Sequence, residues 1–139
     1  AVSGNISVAI TSDVDVVKAR QRGRELAAKL GFSPGDQTVI AAAISEIARN
    51  ILTYAGHGAV SMTIEHDGDR SAVVVVGHDQ GPGIADITLA MRDGYSTSGG
   101  LGVGLGGARQ LMDEFDVISM PGKGTTVTMR KWRARVHLG

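Results

Sequence analysis

Residues 79–107 contain two glycine-marked motifs, D-Q-G-P-G-I at 79–84 and G-Y-S-T-S-G-G-L-G-V-G-L-G-G at 94–107. In the first motif Asp79 is followed by Gly81 and Gly83, and in the second six glycines fall between positions 99 and 107. Glycine destabilises helix and strand interiors, so this density indicates backbone that lies close to a ligand. Exposed N–H groups that lead into a helix favour anions, above all phosphates. We therefore predict a nucleotide pocket in which Asp79 contacts the base and the later loop holds the phosphates.

The composition is typical of one globular domain. The chain has 139 residues, 14 basic and 14 acidic side chains, and no cysteine. We expect residues 1–139 to form a single domain with its own core. The absence of cysteine excludes disulfides and fits a reducing compartment. Balanced charge gives no indication of a nucleic-acid partner, and no apolar run approaches the ~20 residues that span a bilayer. We expect a cytoplasmic protein with no nucleic-acid or membrane partner.

Hydrophobic periodicity predicts five strands and four helices. The strands cover 5–10, 59–65, 71–77, 115–120 and 125–132, and the helices cover 14–30, 34–55, 86–92 and 105–112. Runs of strands with helices to one side are typical of a two-layer α/β sandwich of the α+β class. We predict a mixed, mainly antiparallel sheet with helices on one face. The order is not a regular βαβ alternation, which argues against a doubly wound fold.

The first predicted helix has an apolar side and a basic side. Ser12 is expected to cap its N-terminus. The apolar side is predicted to contain Val14, Val17, Leu26 and Leu30, and the basic side Lys18, Arg20, Arg22 and Arg24. The simplest interpretation of the basic side is a solvated surface, and a docking face for an acidic partner is the alternative.

The second predicted helix carries two polar side chains at the border of its apolar stripe. Ser33 and Pro34 are expected to form its N-terminal cap. The stripe contains Ile40, Ala43, Ile44, Ile47 and Ile51. Glu46 and Asn50 lie four residues apart, so they project from one face at the edge of this stripe. A carboxylate and an amide there need partners, and a local Glu46–Asn50 hydrogen bond or a water is the simple alternative to a ligand.

The run S-A-V-V-V-V-G at 71–77 predicts a strand that is buried on both faces. Asp79 is therefore expected just past the end of a central strand, a common position for a ligand-binding residue. Asp67 and Gly68 are predicted to form the hairpin turn before this strand. Residues 121–124 are predicted to form the turn of a second hairpin near the end of the chain.

Four motifs in this order resemble the GHKL ATP-binding family, which includes gyrase-type ATPases and histidine kinases. They are Glu46 with Asn50 on a helix, D-x-G-P-G after a central strand, the glycine-rich segment 100–106, and G-x-G-T at 122–125. A P-loop is absent, and a Rossmann loop would follow the first strand instead. The segments S-E-I-A-R-N-I, G-Y-S-T-S-G-G-L-G-V-G-L and G-T-T-V-T-M-R-K-W-R are similar to the stressosome switch kinases of the RsbT type, relatives of the anti-sigma-factor kinases. The resemblance implies a Bergerat-type ATP-binding fold.

The resemblance also implies roles for individual residues. Asn50 matches the asparagine that binds Mg²⁺ at the ATP phosphates, and Glu46 matches the glutamate that acts as general base. Asp79 matches the aspartate that accepts a hydrogen bond from the adenine amino group. The backbone and hydroxyl positions that match the adenine pocket and the phosphate lid are Gly81, Gly83, Thr125, Gly100, Gly102, Gly104 and Gly106.

By this resemblance the chain is expected to be an ATP-dependent protein-serine/threonine kinase. Its implied substrates are stressosome scaffold proteins with STAS domains, and its second partner is a downstream phosphatase that it activates. Two alternatives stay open: an anti-sigma-factor kinase that sequesters a sigma subunit and phosphorylates its antagonist, and a non-enzymatic interaction module gated by nucleotide. No helix with a phosphoacceptor histidine is predicted, which argues against a complete histidine kinase.

Overall fold

A computed structural model describes residues 2–81 and 104–134 of the chain. Its elements in order are β1 (Val2–Ile10), α1 (Asp13–Lys29), α2 (Pro34–Tyr54), β2 (Gly58–Asp67), β3 (Arg70–Asp79), α3 (Gly104–Leu111), β4 (Glu114–Met120) and β5 (Gly124–Ala134). The predicted α+β class is confirmed. The predicted helix at 86–92 lies outside the described residues.

The five strands form one sheet in the order β1-β2-β3-β5-β4, with β3 at its centre. All four strand pairings are antiparallel, so the mixed character that was predicted for the sheet is wrong for the described strands. Tight turns connect β2 to β3 and β4 to β5, and the helices α1 and α2 connect β1 to β2. Both kinds of connection allow antiparallel pairing. None of the described helices is long and apolar enough to cross a membrane.

The core lies between the inner face of this sheet and α2. Val73 and Val75 of β3 are fully buried there, and the next inward position, Gly77, lies directly against Ile47 of α2. The opposite face of β3 is also covered at Ala72 and Val74, as the unbroken apolar run predicts. The predicted stripe of α2, from Ile40 to Ile51, is buried along its whole length.

The buried side of α1 differs from the predicted one. Val14 and Val17 were expected in the core, but they are 71% and 40% exposed. The buried residues are Val16, Ala19, Gly23, Leu26 and Ala27. A Cβ atom on Gly23 would overlap the Ile44 side chain of α2, so small residues let the two helices approach closely. The positions of large hydrophobic residues in α1 therefore do not predict which side of the helix packs against α2.

The N-terminus of α1 is held by Asp15 and not by the predicted cap. Ser12 occupies the N-cap position but its side chain makes no capping hydrogen bond. The Asp15 carboxylate instead accepts hydrogen bonds from the Thr11 backbone N–H at 2.9 Å and from the Thr11 hydroxyl at 2.8 Å. The backbone bond, followed by the hydroxyl bond, lowers the pKa of Asp15 from its ordinary value of 3.8.

The ends of α2 follow the sequence signals. Ser33 Oγ accepts a hydrogen bond from the Asp36 backbone N–H at 3.1 Å, and Pro34 occupies the first turn. Gly56, with φ of +81°, ends the helix in the left-handed conformation that favours glycine. The predicted N-terminal cap and the predicted end of the helix near residue 55 are therefore confirmed.

The turn between β2 and β3 lies one residue later than predicted. Asp67 pairs with Arg70 across the strands, so the two loop residues are Gly68 and Asp69. Gly68 has φ of +62° and occupies the first loop position, where a type II′ turn needs a positive angle. The β4–β5 turn falls at 121–123, within the predicted segment.

Candidate functional site

Asp79 is the last residue of the central strand β3, and its side chain is almost fully buried at 3% exposure. One carboxylate oxygen, Oδ1, accepts a hydrogen bond from the Gly81 backbone N–H at 3.0 Å. No cationic side chain in the described parts of the chain pairs with this carboxylate. A buried carboxylate normally has a cation or several donors as partners. The position therefore has the character of a site for a hydrogen-bond donor on a ligand.

Two glycines let other backbone segments close around Asp79. A Cβ atom on Gly81 would lie 2.8 Å from the Cα of Ala55 and 3.2 Å from the Tyr54 carbonyl oxygen, so this turn contacts the end of α2 directly. Gly124 has φ of +92°, and a Cβ atom on it would overlap the carbonyl oxygen of Asp79. The chain thus brings α2, β3 and the β4–β5 turn together at one point.

Thr125 lies beside Asp79 in the sheet, because the two residues are register partners in the β3–β5 pairing. Thr125 is 3% exposed, and its hydroxyl forms a 2.9 Å hydrogen bond with the Ser119 hydroxyl of β4. Ser119 also donates to the Gly124 carbonyl oxygen at 3.3 Å. These contacts hold the Thr125 hydroxyl in a hydrogen-bonded pair on the strand next to Asp79. The structure therefore places two of the predicted site residues next to each other.

Glu46 and Asn50 lie on α2, where Glu46 is buried and Asn50 half-buried. The Glu46 Oε1 atom accepts a 2.8 Å hydrogen bond from Nη1 of Arg49, one position before Asn50. Arg49 was not singled out from the sequence. The spacing of Glu46 and Arg49 could have indicated this pair, because opposite charges three residues apart on a helix are neighbours.

The helix α3 begins at Gly104, one of the predicted lid glycines, and packs against α2. Gly106 is buried within it. Three further predicted site residues, Gly83, Gly100 and Gly102, lie outside the described residues.

Helix α2 separates the candidate residues by distances that suit an extended ligand. Gly81, beside Asp79, contacts the helix at Ala55, which is five residues after Asn50 and nine after Glu46. At ~1.5 Å per residue, Asn50 lies about 7.5 Å and Glu46 about 13.5 Å along the helix axis from that contact. This span is of the order of an extended nucleoside triphosphate. The layout places the Asp79 carboxylate at one end, the Asn50 amide between, and the Glu46 carboxylate at the other end.

The oxygen atoms that the protein offers at this site suit a metal ion that is bound mainly by phosphates and waters. The described residues contain no group of three or more His, Cys, Asp or Glu side chains that could hold a metal ion. Magnesium is usually bound through one or two protein oxygens together with phosphates and waters, and not by an all-protein cage. A single amide oxygen from Asn50 fits that pattern.

A family model described as the histidine kinase-like ATPase domain matches residues 10–131, nearly the whole chain. The chain belongs to the histidine kinase-like ATPase family. This membership implies that the chain binds ATP, and it confirms the GHKL resemblance that the motifs predicted. The roles of the individual site residues stay predictions.

Two curated relatives and one solved structure show what the chain is similar to. The chain is 49% identical over 125 residues to the serine/threonine-protein kinase RsbT of Bacillus subtilis, covering 90% of this chain and 94% of that protein. It is 32% identical over 99 residues to the anti-sigma F factor of Thermoanaerobacter sp., covering 67% and 68%. A solved structure of the RsbU and RsbW domains of Rv1364c from Mycobacterium tuberculosis shares the fold, with a TM-score of 0.61, 22% identity and coverage of 98% of this chain and 35% of that chain. The chain thus belongs with RsbT inside the family.

Proposed function

We propose that this chain is an ATP-dependent protein-serine/threonine kinase that acts as a partner-switching component of a bacterial stress response. The observation that supports it most is the spacing along α2, where the Gly81 contact at Ala55 and Glu46 lie about 13.5 Å apart along the axis. The 49% identity to a serine/threonine-protein kinase supports the same proposal. We further propose that residues 1–139 form one domain and that the chain acts in the cytoplasm, since it has no cysteine.

In this proposal one end of the pocket binds the adenine base and the other end binds the phosphates. Asp79 accepts a hydrogen bond from the adenine amino group through the carboxylate oxygen that does not bind Gly81. Gly81 and Gly83 let the base lie against backbone, and Thr125 lines the same end. The lid glycines at positions 100, 102, 104 and 106 present N–H groups to the phosphates, and the N-terminus of α3 adds its favourable dipole.

Glu46 is the proposed catalytic base at the other end. The γ-phosphorus forms a bond to the hydroxyl oxygen of a serine or threonine on the partner, and its bond to the oxygen of ADP breaks. The Glu46 carboxylate takes the hydroxyl proton. Asn50 would hold Mg²⁺, and the bound ion would neutralise charge on the phosphates. Positioning and charge stabilisation provide most of the catalysis in such a transfer.

The proposed substrates are STAS-domain stressosome scaffold proteins. Phosphorylation of the scaffold would release the kinase, which would then bind and activate a downstream phosphatase. A second candidate is an anti-sigma-factor kinase, and the 32% identity to an anti-sigma F factor favours it specifically. A pull-down that recovers a sigma subunit and no STAS-domain scaffold would favour this second candidate.

Phosphoryl transfer tests the proposal directly. The chain is incubated with Mg²⁺, ATP labelled at the γ-phosphate and a purified STAS-domain protein, and mass spectrometry identifies the modified hydroxyl. Glu46→Gln should slow transfer by at least about 100-fold, because general-base catalysis typically contributes that much or more. Its nucleotide affinity should stay within about 2-fold of the wild type, since the base makes no strong ground-state contact.

Glu25→Gln on the exposed side of α1 is the matched control, because it removes the same charge from an exposed residue to which the proposal gives no role. If Glu46→Gln transfers phosphate at the rate of this control, Glu46 is not the base. If the wild type binds ATP but modifies no partner, the nucleotide-gated module replaces the kinase.

A further inference from the structure

A basic groove lies between α1, α2 and the end of α3, beside the Glu46 side chain. Its volume is about 360 Å³. The residues that line it are Arg20, Arg24, Thr38, Ala41, Ala42, Ser45, Glu46, Arg49 and Leu111. Among these residues Ala41, Ser45 and Glu46 are buried, whereas Arg24 and Arg49 are exposed.

The charges of this groove are unbalanced. Three arginines and one glutamate line it, which leaves a net charge of +2 (three minus one) among these residues. Arg24 donates a hydrogen bond to the Thr38 hydroxyl at 3.2 Å, and neither Arg20 nor Arg24 forms an ion pair with any described residue. Exposed charges on a surface are often compensated by neighbours, whereas here two guanidinium groups converge on a concave site. An acidic occupant complements it.

The third arginine connects the groove to the predicted catalytic base. Arg49 Nη1 lies 2.8 Å from Glu46 Oε1, and the Arg49 side chain is 47% exposed while that of Glu46 is 9% exposed. The guanidinium group thus holds a buried carboxylate from the groove side. A short charge-assisted hydrogen bond of this kind restricts the orientation of the carboxylate that accepts it.

We propose that the phosphoacceptor segment of the partner enters through this groove, that an acidic side chain near its hydroxyl binds Arg20 and Arg24, and that Arg49 is a positioning residue for Glu46. This inference rests on the proposed kinase function and adds its substrate preference. Arg49 touches neither reactant in this scheme and acts by holding the Glu46 carboxylate toward the entering hydroxyl. A displacement of about 1 Å at a catalytic group can cost about 100-fold in rate, so this positioning affects turnover.

Steady-state kinetics of the full chain with ATP, Mg²⁺ and a STAS-domain acceptor separates the two roles. Arg49→Gln should lower kcat by roughly 10- to 100-fold with little change in the acceptor KM. Arg49→Lys should recover part of the loss, because it keeps a cation three residues from Glu46. Arg20→Gln and Arg24→Gln should each raise the acceptor KM about 2- to 5-fold, the usual effect of an exposed charge pair, and added salt should reduce the difference.

Arg22→Gln is the matched control, since Arg22 lies on α1, is exposed and does not line the groove. A further readout is the side-chain Nε–H signal of Arg49 in NMR spectra, which should shift in Glu46→Gln and stay unchanged in Glu25→Gln.

Four outcomes decide the inference. A kcat loss in Arg49→Gln with partial recovery in Arg49→Lys, together with raised KM in the Arg20 and Arg24 variants, supports it. If Arg49→Gln behaves like Arg22→Gln, Arg49 does not position the base. If Arg20→Gln and Arg24→Gln leave KM unchanged, the acceptor enters elsewhere. If the wild type transfers no phosphate at all, the proposed function fails and this inference fails with it.

Discussion

Asp79→Asn isolates the group that we assign to base recognition. In the structure Oδ1 of Asp79 accepts a hydrogen bond from the Gly81 backbone N–H at 3.0 Å, which leaves the other oxygen for the ligand. An asparagine has two possible orientations. With its oxygen toward Gly81, its NH₂ group faces the adenine amino group, and two donors meet. With its NH₂ group toward Gly81, the turn loses its hydrogen bond. Either orientation removes one hydrogen bond at a buried position.

The magnitude follows from the charge of the acceptor. A hydrogen bond to a charged group contributes about 1.5–3 kcal/mol. Since each 1.4 kcal/mol is a factor of about ten, Asp79→Asn should weaken ATP binding by about 10- to 150-fold. Isothermal titration calorimetry measures this change directly. Asp67→Asn is the matched control, because Asp67 is 72% exposed in the β2–β3 hairpin, and it should bind ATP as the wild type does.

Inosine triphosphate makes the test specific for the base, because a carbonyl oxygen replaces the amino group of adenine. The wild type should prefer ATP over inosine triphosphate by at least about 10-fold, since a carboxylate faces an acceptor in the second complex. In Asp79→Asn the amide can donate to that carbonyl, so the preference should shrink or reverse. An Asp79→Asn variant that is folded and keeps the full wild-type preference would refute the assignment of Asp79 to the base.

Three further predictions concern the scaffold of the site. Gly124→Ala should destabilise the fold by roughly 2–5 kcal/mol, because Gly124 has a positive φ and the new Cβ atom would overlap the Asp79 carbonyl oxygen. Urea unfolding measures this loss, and an unchanged midpoint would contradict the contact. Ser33→Ala should cost about 1 kcal/mol, whereas Ser12→Ala should be almost neutral because it makes no capping bond, and equal losses would contradict the two geometries. Because the pKa of Asp15 is lowered in the folded state, its contribution is complete above the ordinary value of 3.8 and is lost as the pH falls through the lower folded value. Asp15→Asn should therefore flatten the decrease in stability measured below about pH 4, and an identical pH profile would argue against the Thr11 contacts.

Most elements of the fold could be predicted because their patterns are local. The apolar stripe of α2 and its caps depend on residues within a few positions of each other, and so does the buried run of β3. The buried side of α1 could not be predicted in the same way. Its contact with α2 depends on the absence of a side chain at Gly23, and no hydrophobicity pattern records which small residue faces a partner helix.

In the candidate site, too, the features that depend on local sequence could be predicted, and those that depend on contacts between distant elements could not. Asp79 at the end of a central strand and Glu46 at the border of a helix could be located from sequence, because each follows from the element that carries it. The hydroxyl pair between Ser119 and Thr125 depends on the register of the last hairpin, which pairs Met120 with Gly124. A shift of one position would move Ser119 to the other face of the sheet. Only the structure fixes that register.

The continuous helical segment of α2 from Glu46 to its end at Tyr54 has a consequence for how this chain can change during evolution. One residue added or removed within that interval would shift Glu46 by about 1.5 Å along the helix and rotate it by about 100° relative to the turn at Gly81. Substitutions on the solvent side leave this geometry untouched, and loops elsewhere can lengthen at small cost. Homologues that keep the enzyme active should therefore differ freely in loop length but share the same count of residues in this interval.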